Sequence, residues 1–168
     1  MPRVLDDLTI HADPAAVFAC IWDPRLWPRI TSHVKWVEVL EDGDRTQRFA
    51  MTVESNGRDH SVESIREAEP GRSVRYRQIL LPAFLRSHSG EWTLEPFAGG
   101  VRVHLVHDAE IDFERALPAL GTNSREEAEA IVARSLKANG SRTLNAIKLY
   151  LEEPATGAAQ GPGKAALS

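Results

Sequence analysis

Between Val34 and Ile111 the apolar residues of this chain recur mostly at every second position, and the pattern breaks where the residues are turn formers. Successive side chains on a strand point to opposite faces, so period two marks strands buried on one side. Six segments carry it: Val34–Glu41, Thr46–Glu54, Arg58–Ala68, Ser73–Leu81, Arg86–Glu95 and Val101–Ile111. The breaks include Glu41-Asp42-Gly43-Asp44, Ser55-Asn56-Gly57, Glu69-Pro70-Gly71 and Ala98-Gly99-Gly100. Asn-Gly and Gly-Gly tolerate positive φ and favour tight hairpins. Links this short join antiparallel neighbours, so the middle of the chain is a meander.

The flanks have a different period. Val4 to His11 reads as one more strand, with Leu8 and Ile10 two apart. Asp13-Pro14 then supplies an N-cap and a proline at the first helical position, where a missing N–H costs nothing. That helix presents Val17, Phe18 and Ile21 and stops near Asp23-Pro24; a second short helical piece covers Pro24 to Ile30. Ser124-Arg125-Glu126-Glu127 is a capping box opening a long helix to about Glu152. Along it Ala128, Ile131, Val132, Ser135, Leu136, Asn139, Thr143, Ile147 and Tyr150 recur at three- and four-residue spacing. Gly140 interrupts the stripe and weakens the helix by about 1 kcal/mol relative to Ala. The expected fold is α+β: a curved antiparallel sheet wrapped around the C-terminal helix, with an interior cavity where the two part. One domain is expected over 1–152, and the small, polar composition of 153–168 predicts a disordered tail.

Composition excludes several classes. At 168 residues the chain suffices for one domain with a real core. No run of 18 apolar residues offers a membrane span, and Asp6-Asp7 interrupt the N-terminus before a secretory signal can form. The lone Cys20 makes no internal disulfide, and a cytoplasmic location is expected. A net charge of −4 argues against a general nucleic-acid binder.

Alternation then assigns faces. His107 shares the face of Val103 and Leu105, while His104 points the other way, so His-x-x-His here is not a metal pair and no metal site is expected. Arg66 lies with Val62 and Ser64, and Tyr76 and Gln78 with Val74 and Leu80. His88 and Gly90 lie with Trp92 and Leu94, and on the long helix Asn139 and Thr143 fall in line with Leu136 and Ile147. Trp27, Phe49 and Phe84 complete the apolar wall. A structural core does not normally carry so many polar groups, because each needs a partner or costs free energy. Singly each residue is compatible with packing; together they point to a wet, amphipathic pocket.

The order Ala12-Asp13-Pro14, Val17-Phe18, Trp27-Pro28 resembles the Bet v 1-like or START helix-grip superfamily. More narrowly, Tyr76-Arg77-Gln78, Ser89-Gly90-Glu91-Trp92, His107-Asp108 and Leu144-Asn145-Ala146 resemble the single-domain aromatase/cyclases of bacterial aromatic polyketide synthases, over about residues 4 to 152. The resemblance implies aldol closure of the first ring of a carrier-bound poly-β-ketone, and dehydration to an aromatic ring. It puts the pocket Arg on Arg66 and the pocket His on His107. Thr143 stands where such members carry Asp, and a threonine cannot act as a carboxylate base.

Arg66, His107 and Thr143 are therefore the expected catalytic residues. Trp27, Tyr76, Gln78, Phe84, His88, Trp92 and Asn139 are expected to bind substrate. Arg66→Ala is expected to abolish directed cyclisation with the fold intact. No cofactor is expected. The expected partners are an acyl carrier protein and a small-molecule polyketide, with a homodimer possible and neither nucleic acid nor membrane involved. Two alternatives share the fold: a non-catalytic domain that binds or chaperones a hydrophobic ligand, and a cyclase that does not aromatise.

Overall fold

A computed structural model describes residues 2–55 and 57–157. The N-terminal strand β1 (Arg3–Ile10) leads to α1 (Pro14–Trp22), a 3-10 turn (Pro24–Leu26) and α2 (Trp27–Ile30). The meander follows as β2 (Val34–Asp42), β3 (Thr46–Ser55), β4 (Arg58–Glu69), β5 (Ser73–Leu80), β6 (Leu85–Phe97) and β7 (Gly100–Ile111). Two helices close the chain, α3 (Phe113–Leu120) and α4 (Arg125–Gly157).

The seven strands form one antiparallel sheet in the order β1-β7-β6-β5-β4-β3-β2. Each meander strand thus pairs with its sequence neighbour, as hairpin links require, and β1 joins the edge that β7 leaves open. The helix α4 packs on the inner face through Ala128, Val132, Gly140, Thr143, Leu144 and Ile147. Its start is half of the expected box: Ser124 Oγ accepts from the Glu127 amide at 3.1 Å, while the Ser124 amide donates to Thr122 Oγ1. The helix runs five residues past Glu152; the remainder of the expected tail, 158–168, lies outside the described residues. Tyr150 is 43% exposed, so the buried stripe ends at Ile147.

Two elements depart from the sequence reading. The helix α3 was not expected. Asp112 caps it by accepting from the Arg115 amide, and Gly121 ends it at φ 70, but eight residues interrupted by Pro118 are too short to show a clear period. Leu80 does not face inward beside Gln78. Gln78 pairs with Ser64 while Leu80 pairs with Glu63, so Ile79 is an extra residue in β5. A one-residue bulge turns the rest of its strand to the other face, and Leu80 is 47% exposed.

Candidate active site

The site begins as a single transverse row of the sheet. Gln47 pairs with Arg66, Arg66 with Tyr76, Tyr76 with Gly90, Gly90 with His107, and His107 with Val4. All the side chains of a row project to one face, and here that face meets α4. Gly90, in the middle, has no side chain to separate its neighbours. Tyr76 and His107 reach across it, and the Tyr76 hydroxyl hydrogen-bonds His107 Nδ1. His88, two residues from Gly90 on the same face, brings its Nε2 to within 3.0 Å of the same hydroxyl.

A Cβ on Gly90 would lie 2.1 Å from the Val106 carbonyl oxygen and 2.6 Å from the Tyr76 ring. Backbone cannot yield at that distance as a flexible side chain can. Gly90→Ala is therefore expected to cost about 3 kcal/mol and to break the Tyr76–His107 contact. Urea unfolding measures the first, and a wild-type midpoint would show that Gly90 is dispensable.

Arg66 is buried but not free. Its Nε and Nη2 donate to Gln47 Oε1 at 3.0 and 2.6 Å, Nη2 also to the Trp22 carbonyl at 2.6 Å, and Nη1 to the Ile21 carbonyl at 2.9 Å. Four of its five N–H groups are thus spent on the protein, leaving one on Nη1. The two carbonyls are the unsatisfied end of α1, where a cation is favoured. The guanidinium carbon also lies 5.0 to 5.3 Å from the Trp22, Trp27 and Phe49 ring centres. Burial lowers its pKa to about 9, with Asp23 and Asp42 opposing, so it stays charged at neutral pH. These contacts argue against the expectation that Arg66→Ala leaves the fold intact.

The row opens onto a cavity of about 120 Å³ under α4. Arg66, His107, Thr143, Trp27, Tyr76, Gln78, His88, Trp92 and Asn139 all line it. Phe84 does not; it lines an adjoining cavity of about 60 Å³, and Gln78, His88 and Asn139 border both. Trp27 is anchored by its indole N–H to the Cys20 carbonyl at 3.0 Å and packs edge-on against Phe49. Gln78 Oε1 is buried without a hydrogen-bond partner.

Thr143 meets a histidine the sequence reading passed over. Its hydroxyl donates to the Asn139 carbonyl at 3.0 Å, and its oxygen lies 3.2 Å from His33 Nε2. His33 is buried in the link before β2, its Nδ1 2.7 Å from Thr31 Oγ1. A residue in an irregular link has no period to announce its face. Gln47 was legible, since it shares parity with Phe49, and so was Asp6, which shares parity with Leu8 and Ile10.

Burial dominates the titration of the pocket. It lowers His107 to about 4 against the pull of Asp6 and Asp108, and lowers His88 to about 3 with His107 adding to the effect. His33 falls to about 4, again chiefly by burial, with Arg142 contributing. Burial also holds the Tyr76 phenol well above its ordinary value. At neutral pH the wall is thus a neutral phenol between two neutral imidazoles, able to pass protons but carrying no charge. Cys20 is buried and its thiol is pushed up to about 11, which removes it as a nucleophile. Among the described residues no group of three or more His, Cys, Asp or Glu side chains is placed to hold a metal ion. No helix among them is long and apolar enough to cross a membrane.

A curved antiparallel sheet closed by a long helix over a polar-walled cavity defines a helix-grip protein. A START superfamily protein from Mycobacterium smegmatis has this fold, with a TM-score of 0.71 at 11% identity over 90% of this chain and 97% of that one. Residues 1–152 match the family described as polyketide cyclase/dehydrase and lipid transport, and the chain belongs to it. The actinorhodin polyketide synthase bifunctional cyclase/dehydratase of Streptomyces coelicolor is 32% identical over 136 residues, 78% of this chain and 43% of the relative. The chain thus spans less than half the length of that curated relative. Among solved structures, the di-domain ARO/CYC StfQ from the steffimycin biosynthetic pathway superposes with a TM-score of 0.83 at 29% identity, covering 92% of this chain and 52% of StfQ. The Zhui aromatase/cyclase of a Streptomyces species does so with 0.82 at 25%, covering 92% and 95%.

Proposed function

We propose that this chain is a polyketide cyclase/dehydratase that closes a ring of a poly-β-ketone in the cavity under α4, without metal or cofactor, on substrate delivered by an acyl carrier protein in the cytoplasm. The observation that carries the reading is the hydrogen-bonded series His88–Tyr76–His107 along the cavity wall. Ring closure and dehydration together require four proton movements, two off carbon and two onto oxygen. A methylene between two carbonyls gives up a proton, and its carbon bonds to a distant carbonyl carbon. The oxygen of that carbonyl takes a proton and becomes a hydroxyl. Loss of a second methylene proton together with the hydroxyl releases water and leaves the double bond of the nascent aromatic ring.

His107 is the base and the acid of these steps, acting through the Tyr76 hydroxyl: as Tyr76 takes a substrate proton it passes its own to the neutral imidazole, and the reverse transfer gives a proton to the departing hydroxyl. Tyr76 and His88 relay protons to it. Arg66 gives the cavity a fixed positive field and one N–H for developing enolate charge. Gln78 and Asn139 position substrate oxygens, Thr143 holds His33 at the cavity wall, and the rings of Trp27 and Trp92 confine the chain against wrong closures.

The test is co-expression with a minimal polyketide synthase, reading the product profile with and without this protein. His107→Ala and His107→Gln are both expected to shift products to shunt compounds, by about 10²-fold in directed product, because an amide holds a position but shuttles no proton. Full activity in His107→Gln would leave His107 a positioning residue only. The second reading, a hydrophobic-ligand binding domain, is favoured by the near-saturation of Arg66 with protein partners. It would be supported by an unchanged product profile with and without the wild-type protein.

A further inference from the structure

Of the three buried side-chain polar atoms among the described residues that have no hydrogen-bond partner, two border the same point on α4. They are His107 Nε2 and Asp6 Oδ2. Both lie beside Gly140: a Cβ there would be 2.9 Å from the first and 2.8 Å from the second. They are thus close enough for a single water to touch both. We propose that Asp6 is the carboxylate partner of His107, taking the Nε2–H through one water and so fixing which nitrogen of the ring faces Tyr76 with a lone pair. This rests on the cyclase reading for its consequence but not for its geometry.

The hydrogen-bond network by itself allows two arrangements. In one, Tyr76 donates to His107 Nδ1 and accepts from His88, leaving the His107 proton on Nε2. In the other, the His107 proton sits on Nδ1 and the series runs backwards. Asp6 decides between them. A water between them can donate to the carboxylate and to a bare Nε2 alike, so the field makes the choice: an N–H dipole pointing toward the carboxylate is favoured, and a lone pair pointing toward it is not. Asp6 is itself held in place, with Oδ1 2.9 Å from Ser141 Oγ and 3.0 Å from Lys137 Nζ. Lys137 is in turn tied to the Leu5 carbonyl at 2.6 Å. Oδ2 is the oxygen left over.

Three further features agree. Asp6 is 8% exposed on the inner face of β1, where a carboxylate with no task would be costly. A glycine in the middle of a helix is also costly, yet any side chain at 140 would enter the space between the two atoms. Thr143 cannot substitute, because its hydroxyl is spent on His33 and Asn139. The charged and titratable groups around His107 are Asp6 on β1 with Lys137 of α4 behind it, Tyr76 on β5, His88 on β6, and Asp108, the next residue on β7. Asp108 is paired with Arg3 at 2.9 Å on the outer side. When His107 takes a proton through Tyr76, Asp6 is the carboxylate on the far side of the ring that stabilises the imidazolium.

The experiment is nitrogen NMR of the histidine-labelled protein at pH 7.5, which needs no substrate. The wild type should show His107 protonated at Nε2. In Asp6→Asn, Ser141 and Lys137 both donate and will hold the amide oxygen at the Oδ1 position, which places the amide NH₂ toward His107. The ring proton should then move to Nδ1, and directed cyclisation should fall by about 10²-fold. In Gly140→Ala the added methyl displaces the water, and the Nε2–H resonance should shift or broaden. A wild-type His107 protonated at Nδ1 overturns the proposal, as does a folded Asp6→Asn protein with its tautomer unchanged. If the tautomer inverts while the product profile does not move, the Asp6–His107 pairing stands and the cyclase reading is what fails.

Discussion

Replacing Arg66 with alanine is expected to unfold the protein rather than merely silence it. The substitution strips donors from Gln47 Oε1 and from the Ile21 and Trp22 carbonyls, all in a buried setting. Gln47 keeps its own donation to the Trp22 carbonyl, at 3.1 Å, but the end of α1 loses its cation. Leaving buried acceptors without their donors costs about 1–3 kcal/mol each, and the emptied volume among Trp22, Trp27 and Phe49 adds a cavity term. Against a total stability of about 5–15 kcal/mol, the variant should lose at least about 10 °C in Tm or accumulate insoluble. Arg66→Lys keeps a charge but not the planar fork that reaches three acceptors at once, and should fall between the two. A soluble Arg66→Ala protein with wild-type urea stability would show that the network is ornamental. A folded Arg66→Lys protein with altered products would instead assign the residue to substrate.

The same residue shows where sequence reading stops. Alternation placed Arg66 inside because parity is a local property of β4, visible in Val62, Ser64 and Ala68. What it touches is decided by the register of β3 on β4 and by the end of α1, neither of which has a local signature. Gly90 and His107 were each assigned to the inner face, yet that they share a row with Tyr76 depends on two hairpin registers. The bulge at Ile79 defeated parity outright, since one extra residue reverses every later assignment on its strand. Gly140 was legible as a defect of the helix and not as a fit, because its reason lies on β1 and β7. Asp6 obeyed the parity rule but is an acid, and its burial becomes intelligible only beside Lys137, Ser141 and His107. His33 had no period to betray it. Local pattern thus supplied the faces, and the pairing of distant elements supplied the chemistry.

Acidification is expected to unfold this protein over a narrow range below pH 6.5. Three histidines at the cavity are held neutral by burial, His33 and His107 with pKa lowered to about 4 and His88 to about 3, against 6.5 for an ordinary imidazole. A histidine whose folded pKa is depressed binds its proton more readily in the unfolded chain. Its contribution to stability is therefore complete above pH 6.5 and is lost as the pH falls from 6.5 toward the folded value. Each group gives up about 1.4 kcal/mol per pH unit inside that window, so the three together remove on the order of 5 kcal/mol by pH 5. That rivals the whole stability of an ordinary domain. The near-ultraviolet circular dichroism of the buried Trp27 and Trp92 should collapse between about pH 5 and pH 4, and the urea midpoint should already be well down at pH 5.5. His88→Gln removes one of the three titrations and keeps a polar side chain beside Tyr76, so its stability should vary less steeply with pH across that window. Equal urea midpoints at pH 7.5 and pH 5.5 would mean that these imidazoles are not held neutral by burial. His107 would then still be mostly neutral at pH 7.5 and more basic than burial leaves it, so its role as the base would stand and only the acid sensitivity would be lost.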